Sequence, residues 1–138
     1  LCSRALLKLG AAPIASFEEG TAEAEVAANL YPSTRDALLS VHPWGFATGQ
    51  LRLPRLAASP VADYDHAFQL PADFPPFFDQ ALIARLAAEF CTPVTESTAR
   101  AQLLFKLADD EMRRARLIDA QQETAQALDR FPLVEARG

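Results

Sequence analysis

Apolar residues recur at the three- and four-residue spacing of a helix face in four stretches of the chain. The first predicted helix spans residues 1–9, where Ala5, Leu6 and Leu9 lie on one side. Gly10 follows directly, and glycine commonly ends a helix because it adopts the left-handed conformation without strain. The pattern therefore predicts a short amphipathic helix at the start of the sequence.

The second predicted helix contains a proline near its middle. Thr21 is a suitable N-cap, whereas Pro32 would be expected to stop the helix. The apolar face nevertheless continues at helical spacing across the proline. Its positions are Val26, Leu30, Thr34, Leu38 and Val41. We therefore expect one helix, kinked near Pro32 and ending before Pro43, with two helices meeting at the proline as the alternative.

A short strand is predicted after the irregular stretch 43–60. Tyr64, His66, Phe68 and Leu70 alternate along one face of residues 63–70, and Pro71 ends the pattern. So short a strand needs a partner, and the remaining sequence offers only residues 50–53. The pattern indicates that part of a sheet is missing from this sequence.

Two further helices are predicted in the second half of the chain. The third begins near Phe77 and ends at Thr92-Pro93, with an apolar stripe of Phe78, Leu82, Leu86 and Phe90. The fourth begins near Thr95, meets neither glycine nor proline until Pro132, and gives way to the tail after Leu128. Its apolar seam consists of Ala101, Leu104, Ala108, Met112, Ala115 and Ile118.

These elements predict a mainly α protein, a bundle of about four helices with a long C-terminal helix and a short strand region. Residues 1–128 form the helical domain, and residues 129–138 form an extended tail. A last helix of about 32 residues is about 48 Å long, whereas a compact domain of this size is about 37 Å across. Because this helix overhangs the domain and carries a long apolar seam, we expect an oligomer.

Charge and composition narrow the class of protein. The 13 basic and 18 acidic residues give a net charge of −5, which argues against a generic nucleic-acid binder. No apolar stretch approaches the roughly 20 residues of a membrane span. Cys2 and Cys91 lie in no metal-binding motif and are predicted to be buried free thiols, as in a cytoplasmic protein.

Residues with catalytic chemistry form no pattern that defines a site. Neither His42 nor His66 has partners at a spacing typical of a triad, so both are interpreted as structural. The acidic pair Glu18 and Glu19 is interpreted as solvated rather than metal-binding. The sequence lacks the phosphate-loop, dinucleotide, zinc-protease and nucleophile-elbow motifs. We therefore expect no catalytic residues, no cofactor and no metal.

The densest basic cluster consists of Arg113, Arg114 and Arg116. Acidic residues flank the cluster, which favours a solvated face with ion pairs, and the three arginines are candidates for a subunit interface. The expected i,i+4 pairs are Lys106 with Asp110, Asp109 with Arg113, and Asp110 with Arg114.

Trp44 and Phe46 stand in the loop after the second helix. They could form a binding platform, but two large aromatic residues in a loop between helices more often anchor the loop in the core. The prediction is that they anchor it onto the second, third and fourth helices.

Five short segments occur in an order that resembles a known family. They are Cys2-Ser3-Arg4-Ala5-Leu6 with Leu9-Gly10-Ala11, Leu30-Tyr31-Pro32 with Thr34-Arg35-Asp36-Ala37-Leu38-Leu39, His42-Pro43-Trp44 with Phe46-Ala47, Phe68-Gln69-Leu70-Pro71-Ala72-Asp73, and Ala81-Leu82-Ile83-Ala84-Arg85-Leu86-Ala87-Ala88-Glu89. Together they resemble the head–tail connector (adaptor) proteins of tailed bacteriophages and prophages, of the tail tubular protein A type.

The resemblance implies a structural component of a virion. Such adaptors form a ring of twelve copies beneath the portal protein, line the conduit for double-stranded DNA without sequence-specific binding, and present a platform to the next tail or nozzle protein. It also implies assembly in the cytoplasm of the bacterial host. The tail, with Phe131, Pro132, Leu133 and Val134, is then the candidate for docking into the portal.

The sequence departs from the family at one place. The family carries a small β-rich subdomain before the third helix, whereas here Asp73 leads through Phe74 and Pro75 directly into that helix. We expect this insert to be missing near residues 73–76, with an interruption of the chain at 74–75. Two other classes stay open from the sequence: a small lysozyme-like hydrolase of a phage tail, and a helical assembly chaperone or binding module.

Overall fold

The computed structural model describes residues 1–47 and 74–122. Four α-helices lie in these ranges: α1 (Cys2–Leu9), α2 (Ala22–Ser40), α3 (Pro76–Thr95) and α4 (Thr98–Gln122), with one 3₁₀ turn at Gly45–Ala47. The described ranges contain no strand, so the expectation of a mainly α bundle is confirmed for them. None of the described helices combines the length and apolar character needed to cross a bilayer.

The first two helices begin and end where their capping residues predict. Gly10 ends α1 with a φ of 79°, and the N–H groups of Gly10 and Ala11 donate to carbonyls of the last turn at 3.1 Å. Thr21 caps α2, because its hydroxyl oxygen accepts a hydrogen bond from the N–H of Ala24 at 3.2 Å. Pro32 lies inside a single continuous α2, so the alternative of two helices is excluded.

The observed apolar face of α2 is shorter than the predicted one. Thr34 and Leu38 are buried, and Val26 and Leu30 are partly buried against the core. Val41 was expected on this face but is exposed, because α2 ends at Ser40 and the chain then turns back toward Trp44.

The predicted boundary between the third and fourth helices is wrong by three residues. Pro93 lies inside α3, which continues to Thr95; a proline this close to the end removes only one hydrogen bond of the last turn. Glu96 then adopts a left-handed conformation with a φ of 54°, and its N–H donates to the carbonyl of Thr92 at 2.9 Å. Ser97 caps α4, since its hydroxyl oxygen accepts from the N–H of Arg100 at 3.3 Å.

Helix α3 is the centre of the bundle, because it packs against each of the other three helices. The predicted stripe is confirmed: Phe78, Leu82, Leu86 and Phe90 are all fully buried. Residues on the other sides of α3 are buried as well, among them Ala81, Ile83, Ala87, Ala88 and Cys91. A helix enclosed on several sides needs apolar residues around most of its circumference.

Helix α4 packs on α3 with three buried alanines, and its Leu104, Phe105 and Met112 are partly buried against the same core. Ala101, Ala108 and Ala115 recur every seven residues and are buried, as the predicted seam requires. Ile118, the last residue of that seam, is instead 38% exposed, and Asp119 is the buried residue of this turn. The exposed Ile118 is a correction to the prediction, and its cause is the polar contact of Asp119 described below.

Several predictions lie outside the described residues. They are the strand at 63–70, the continuation of the last helix from 123 to Leu128, and the tail at 129–138. The interruption of the chain near 74–75 stays a prediction. The described part of α4 has 25 residues and is about 37 Å long.

Candidate functional site

Trp44 fills the space between the end of α2 and the start of α3. Its side chain is 1% exposed, and the indole Nε1 donates to the carbonyl of Leu38 at 2.9 Å. Its ring meets that of Phe78 edge to face, with 5.0 Å between the ring centroids. The structure thus places Trp44, a predicted loop anchor, inside the core rather than on a surface platform.

Phe46, the second predicted anchor residue, is half-buried in a cluster of phenylalanine rings. Its centroid lies 5.1 Å from that of Phe78, 6.0 Å from Phe77 and 6.2 Å from Phe74. The contact with Phe74 has a topological consequence, because it holds the chain just before residue 48 beside the chain just after residue 73. The two described ranges therefore meet at this aromatic anchor, which we define as Trp44, Phe46, Phe74, Phe77 and Phe78.

A buried carboxylate of α4 holds the same loop from the opposite side. Asp119 is 4% exposed, and its Oδ2 accepts a hydrogen bond from the N–H of Gly45 at 2.9 Å. The Nε2 atom of His42 lies 3.4 Å from the same oxygen, and the His42 ring stands edge-on to Trp44. His42 therefore has a structural position, in agreement with its interpretation from the sequence.

Sequence reasoning missed Asp119. The signal that could have found it is its position, four residues after Ala115 and therefore on the seam that faces α3. An acidic residue on an apolar seam needs a buried donor, and here Gly45 supplies one. The donor could not be inferred, because Gly45 lies 74 residues earlier in the chain.

A groove runs between α2 and α4, with α3 as its floor. Its cavity volume is about 240 Å³. We call it the α2–α4 groove; its lining includes Thr34, Ala37 and Leu38 of α2 and Ala108, Met112 and Arg116 of α4. On the floor, Arg85 pairs with Glu89 at 2.9 Å and lies over the ring of Phe105, with its guanidinium carbon 4.9 Å from the ring centroid.

The three arginines predicted as candidates for a subunit interface have different surroundings. Arg113 pairs with Asp110, and Arg114 pairs with Glu111 at 3.0 Å; both pairs are exposed. Within each pair the two residues are three positions apart, whereas the prediction was four, so the expected i,i+4 partners of Arg113 and Arg114 are wrong. Arg116 instead lines the α2–α4 groove, and its Nε donor is buried with no hydrogen-bond partner among the described residues.

The outer side of α4 exposes large apolar residues. Leu103, Leu107, Leu117 and Ile118 are 59%, 49%, 61% and 38% exposed, respectively. Leu103 and Leu107 are one turn apart, and Ile118 follows Leu107 after about three turns, so these residues share one side of the helix. We call these residues the apolar face of α4; sequence reasoning missed this face and placed Ile118 on the buried seam instead.

The remaining titratable candidates have structural explanations. Cys2 and Cys91 are buried free thiols, which confirms that prediction, and burial raises the pKa of Cys2. Glu19 is exposed and accepts hydrogen bonds from the N–H of Ala15 and the hydroxyl of Thr21, which lower its pKa. Within the described ranges, no three His, Cys, Asp or Glu side chains are grouped as metal ligands would be.

The candidate docking residues Phe131, Pro132, Leu133 and Val134, and also His66, lie outside the described residues. Comparison with known proteins adds no assignment: no protein-family model matches the chain, and no curated protein is similar to it. Among the described residues, the features with a specific geometry are thus the buried aromatic anchor with Asp119, the α2–α4 groove and the apolar face of α4.

Proposed function

We propose that this chain is a structural head–tail connector, or adaptor, of a phage or prophage-like particle. In this proposal twelve copies form a ring beneath the portal protein, line the conduit through which double-stranded DNA passes, and present a platform to the next tail or nozzle protein. The role is structural rather than catalytic and uses no cofactor. Its location is the head–tail junction of the virion, after assembly in the bacterial cytoplasm, with no membrane partner.

The observation that carries the proposal is the order of the five sequence segments that resemble this family. Four of them lie in described residues, within α1, α2, the aromatic anchor and α3. These four segments pack together: α1 and α2 both contact α3, and Trp44 bonds to α2 while it packs on α3. Segments that form one core are expected to persist together in a family, which supports the resemblance.

The aromatic anchor also supports the proposal. The family inserts a subdomain between the strand segment and the third helix. Phe46 and Phe74, which flank residues 48–73, are in contact, so the two described ends of the bundle at this point lie close together. Segments whose two ends lie close together are the usual places for insertions in a domain. A subdomain of variable size is therefore compatible with the same helical bundle.

The charge of the chain suits a DNA conduit. A net charge of −5 in each copy makes a ring of this protein strongly acidic. An acidic lining repels the phosphate backbone, so the duplex slides through, whereas a basic lining would hold it. Sequence-specific contacts are neither needed nor expected in this role.

Native mass spectrometry of the full-length protein, alone and mixed with its portal protein, tests the proposal. A twelve-copy ring, or twelve copies bound to one portal, is the expected result. A protein that remains monomeric under both conditions would contradict the connector function. An unrelated phage portal is the control for nonspecific attachment. Turnover of peptidoglycan by the same sample would instead indicate a hydrolase.

A further inference from the structure

We propose that copies of this chain associate head to tail, with the apolar face of α4 of one copy seated in the α2–α4 groove of the next copy. The inference deepens the proposed function. It rests on that function only for the closure of the repeated contact into a ring. The association itself is argued from three features of the described residues: an uncovered apolar face, a groove of matching character, and the position of the two on opposite sides of α4.

The apolar face of α4 is exposed in the single chain but has the composition of a surface that another molecule covers. Its three leucines and one isoleucine lie along one side of a helix whose opposite side is already packed on α3. Single exposed leucines are common in proteins, but an aligned set of them marks a surface that another molecule covers. Asp110 and Arg114 lie between the leucines on this side, and they add charge in the middle of the face.

The α2–α4 groove can receive such a face. Leu38, Ala81 and Met112 give it an apolar part beside charged side chains of α3 and α4, and its volume is about 240 Å³. An apolar cavity of about 150 Å³ accommodates a benzene molecule, so the groove has room for a leucine side chain. The groove is open to the surface at Ala37 and Val41, which are both exposed.

The buried donor of Arg116 indicates the polar part of the contact. Its Nε lacks an acceptor in the described structure, and an unsatisfied buried donor is costly. Asp110 and Glu111 on the outer side of α4 carry carboxylates that are held only by exposed intrahelical pairs. Since exposed pairs of this kind are weak, a carboxylate of the incoming copy can turn toward Arg116 at little cost.

The relative position of the two surfaces fixes the type of association. Leu107 and Arg116 are nine residues apart, or about two and a half turns, so their side chains leave opposite sides of α4. A surface that fits a groove elsewhere on the same molecule makes a heterologous contact. Each copy then offers one face and one groove, and the contact repeats until the rotation between copies closes a ring.

Two single substitutions test the contact, one on each surface. Leu107→Glu places a charge in the apolar face, and Ala37→Trp blocks the groove from an exposed position on α2. Each variant alone is expected to raise the Kd of self-association by roughly 30-fold or more, as substitution of a central interface residue does. The matched controls are Leu7→Glu and Ala22→Trp, which change exposed positions on α1 and at the start of α2.

A mixture of the two variants gives the decisive measurement. The Leu107→Glu copy keeps an intact groove and the Ala37→Trp copy keeps an intact face, so an equimolar mixture should form a one-to-one dimer in native mass spectrometry. Circular dichroism checks that both variants are folded. If folded variants form no dimer when mixed, or if Ala37→Trp assembles as the wild type does, the head-to-tail contact is wrong. If the apolar faces of two copies paired with each other instead, Ala37→Trp would assemble as the wild type does.

The same measurements separate this inference from the proposed function. Wild-type protein that forms open chains, or rings that do not bind a portal, would contradict the connector function while the contact stands. Rings that survive both substitutions would overturn the contact while the connector function stands. A wild type that stays monomeric throughout a concentration series overturns the contact as well.

Discussion

The side chain of Trp44 connects three parts of the bundle at once. It donates a hydrogen bond to the end of α2, packs on the start of α3, and stands beside His42, whose Nε2 approaches Asp119 of α4. Trp44 is the largest of the fully buried side chains in the described ranges. Because an indole ring buries more apolar area than any other side chain, this residue is where the bundle is most sensitive to truncation.

Replacing Trp44 by alanine should lower the free energy of unfolding by about 3–5 kcal/mol, the range for truncation of a buried aromatic residue. Urea denaturation followed by circular dichroism measures the loss. Leu7→Ala is the control, since Leu7 is exposed and its truncation should cost about 0.5 kcal/mol or less. A Trp44→Ala protein of unchanged stability that no longer bound its partner would show that the ring belongs to an interface instead.

Removing the carboxylate of Asp119 should leave the N–H of Gly45 without an acceptor in a partly buried position. Asp119→Ala is therefore expected to destabilise the protein by about 1–3 kcal/mol, whereas Asp119→Asn keeps an acceptor oxygen and should cost less. Differential scanning calorimetry of both variants shows which of the two loses more stability. Asp36→Ala is the control, because the Asp36 side chain is 61% exposed and pairs only at the surface. Equal losses for alanine and asparagine would contradict the role of the hydrogen bond.

At the scale of helices, the contact between α3 and α4 depends on small residues. Ala101, Ala108 and Ala115 are buried on the side of α4 that faces α3, and α3 has buried alanines of its own at 81, 84, 87 and 88. Short side chains on both helices allow their axes to approach closely. Leu104, Phe105 and Met112 of α4 are partly buried against the same core, whereas the leucines at 103, 107 and 117 are exposed, so one helix carries both a seam and an exposed apolar face.

Enlarging one of these alanines tests the packing. Ala115→Leu should destabilise the protein by about 1–3 kcal/mol, because the closely packed contact has no space for three further carbon atoms. Ala120→Leu adds the same atoms at an exposed position of the same helix and is the matched control. Chemical denaturation of the two variants gives the comparison. A neutral Ala115→Leu variant would mean that α3 and α4 are loosely packed there.

For the whole molecule, the segment 129–138 is predicted to dock into the portal and to contribute little to folding of the helical domain. Its few apolar residues, Phe131, Leu133 and Val134, lie among charged residues and are too few to form a core of their own. Deleting residues 129–138 should leave the helical circular dichroism signal nearly unchanged and abolish attachment to the portal. Deleting only residues 135–138 is the control and should preserve attachment. A full truncation that still bound portal with wild-type affinity would refute the docking role.

Local chemistry was sufficient to predict much of the fold. Gly10 and Thr21 mark the ends of their helices through their own backbone and hydroxyl groups, and the stripe from Phe78 to Phe90 follows from periodicity within one helix. Trp44 could be placed in the core because of its size alone. In each case the residues that decide the outcome lie within a few positions of one another, or the side chain has few alternatives to burial.

The tertiary structure decided the features that depend on distant parts of the chain. Asp119 is buried because Gly45 offers it a donor, and Ile118 is consequently left outside. Arg116, unlike Arg113 and Arg114, lines a groove that exists only because α2 lies opposite α4 across α3. The sequence of α4 contains two apolar sides; the predicted seam has Ala101, Ala108 and Ala115 on the buried side, but periodicity within one helix could not show that Asp119 rather than Ile118 continues it. That choice depends on the shape and charge of the surfaces that the other helices present to α4, and these exist only once the bundle has formed.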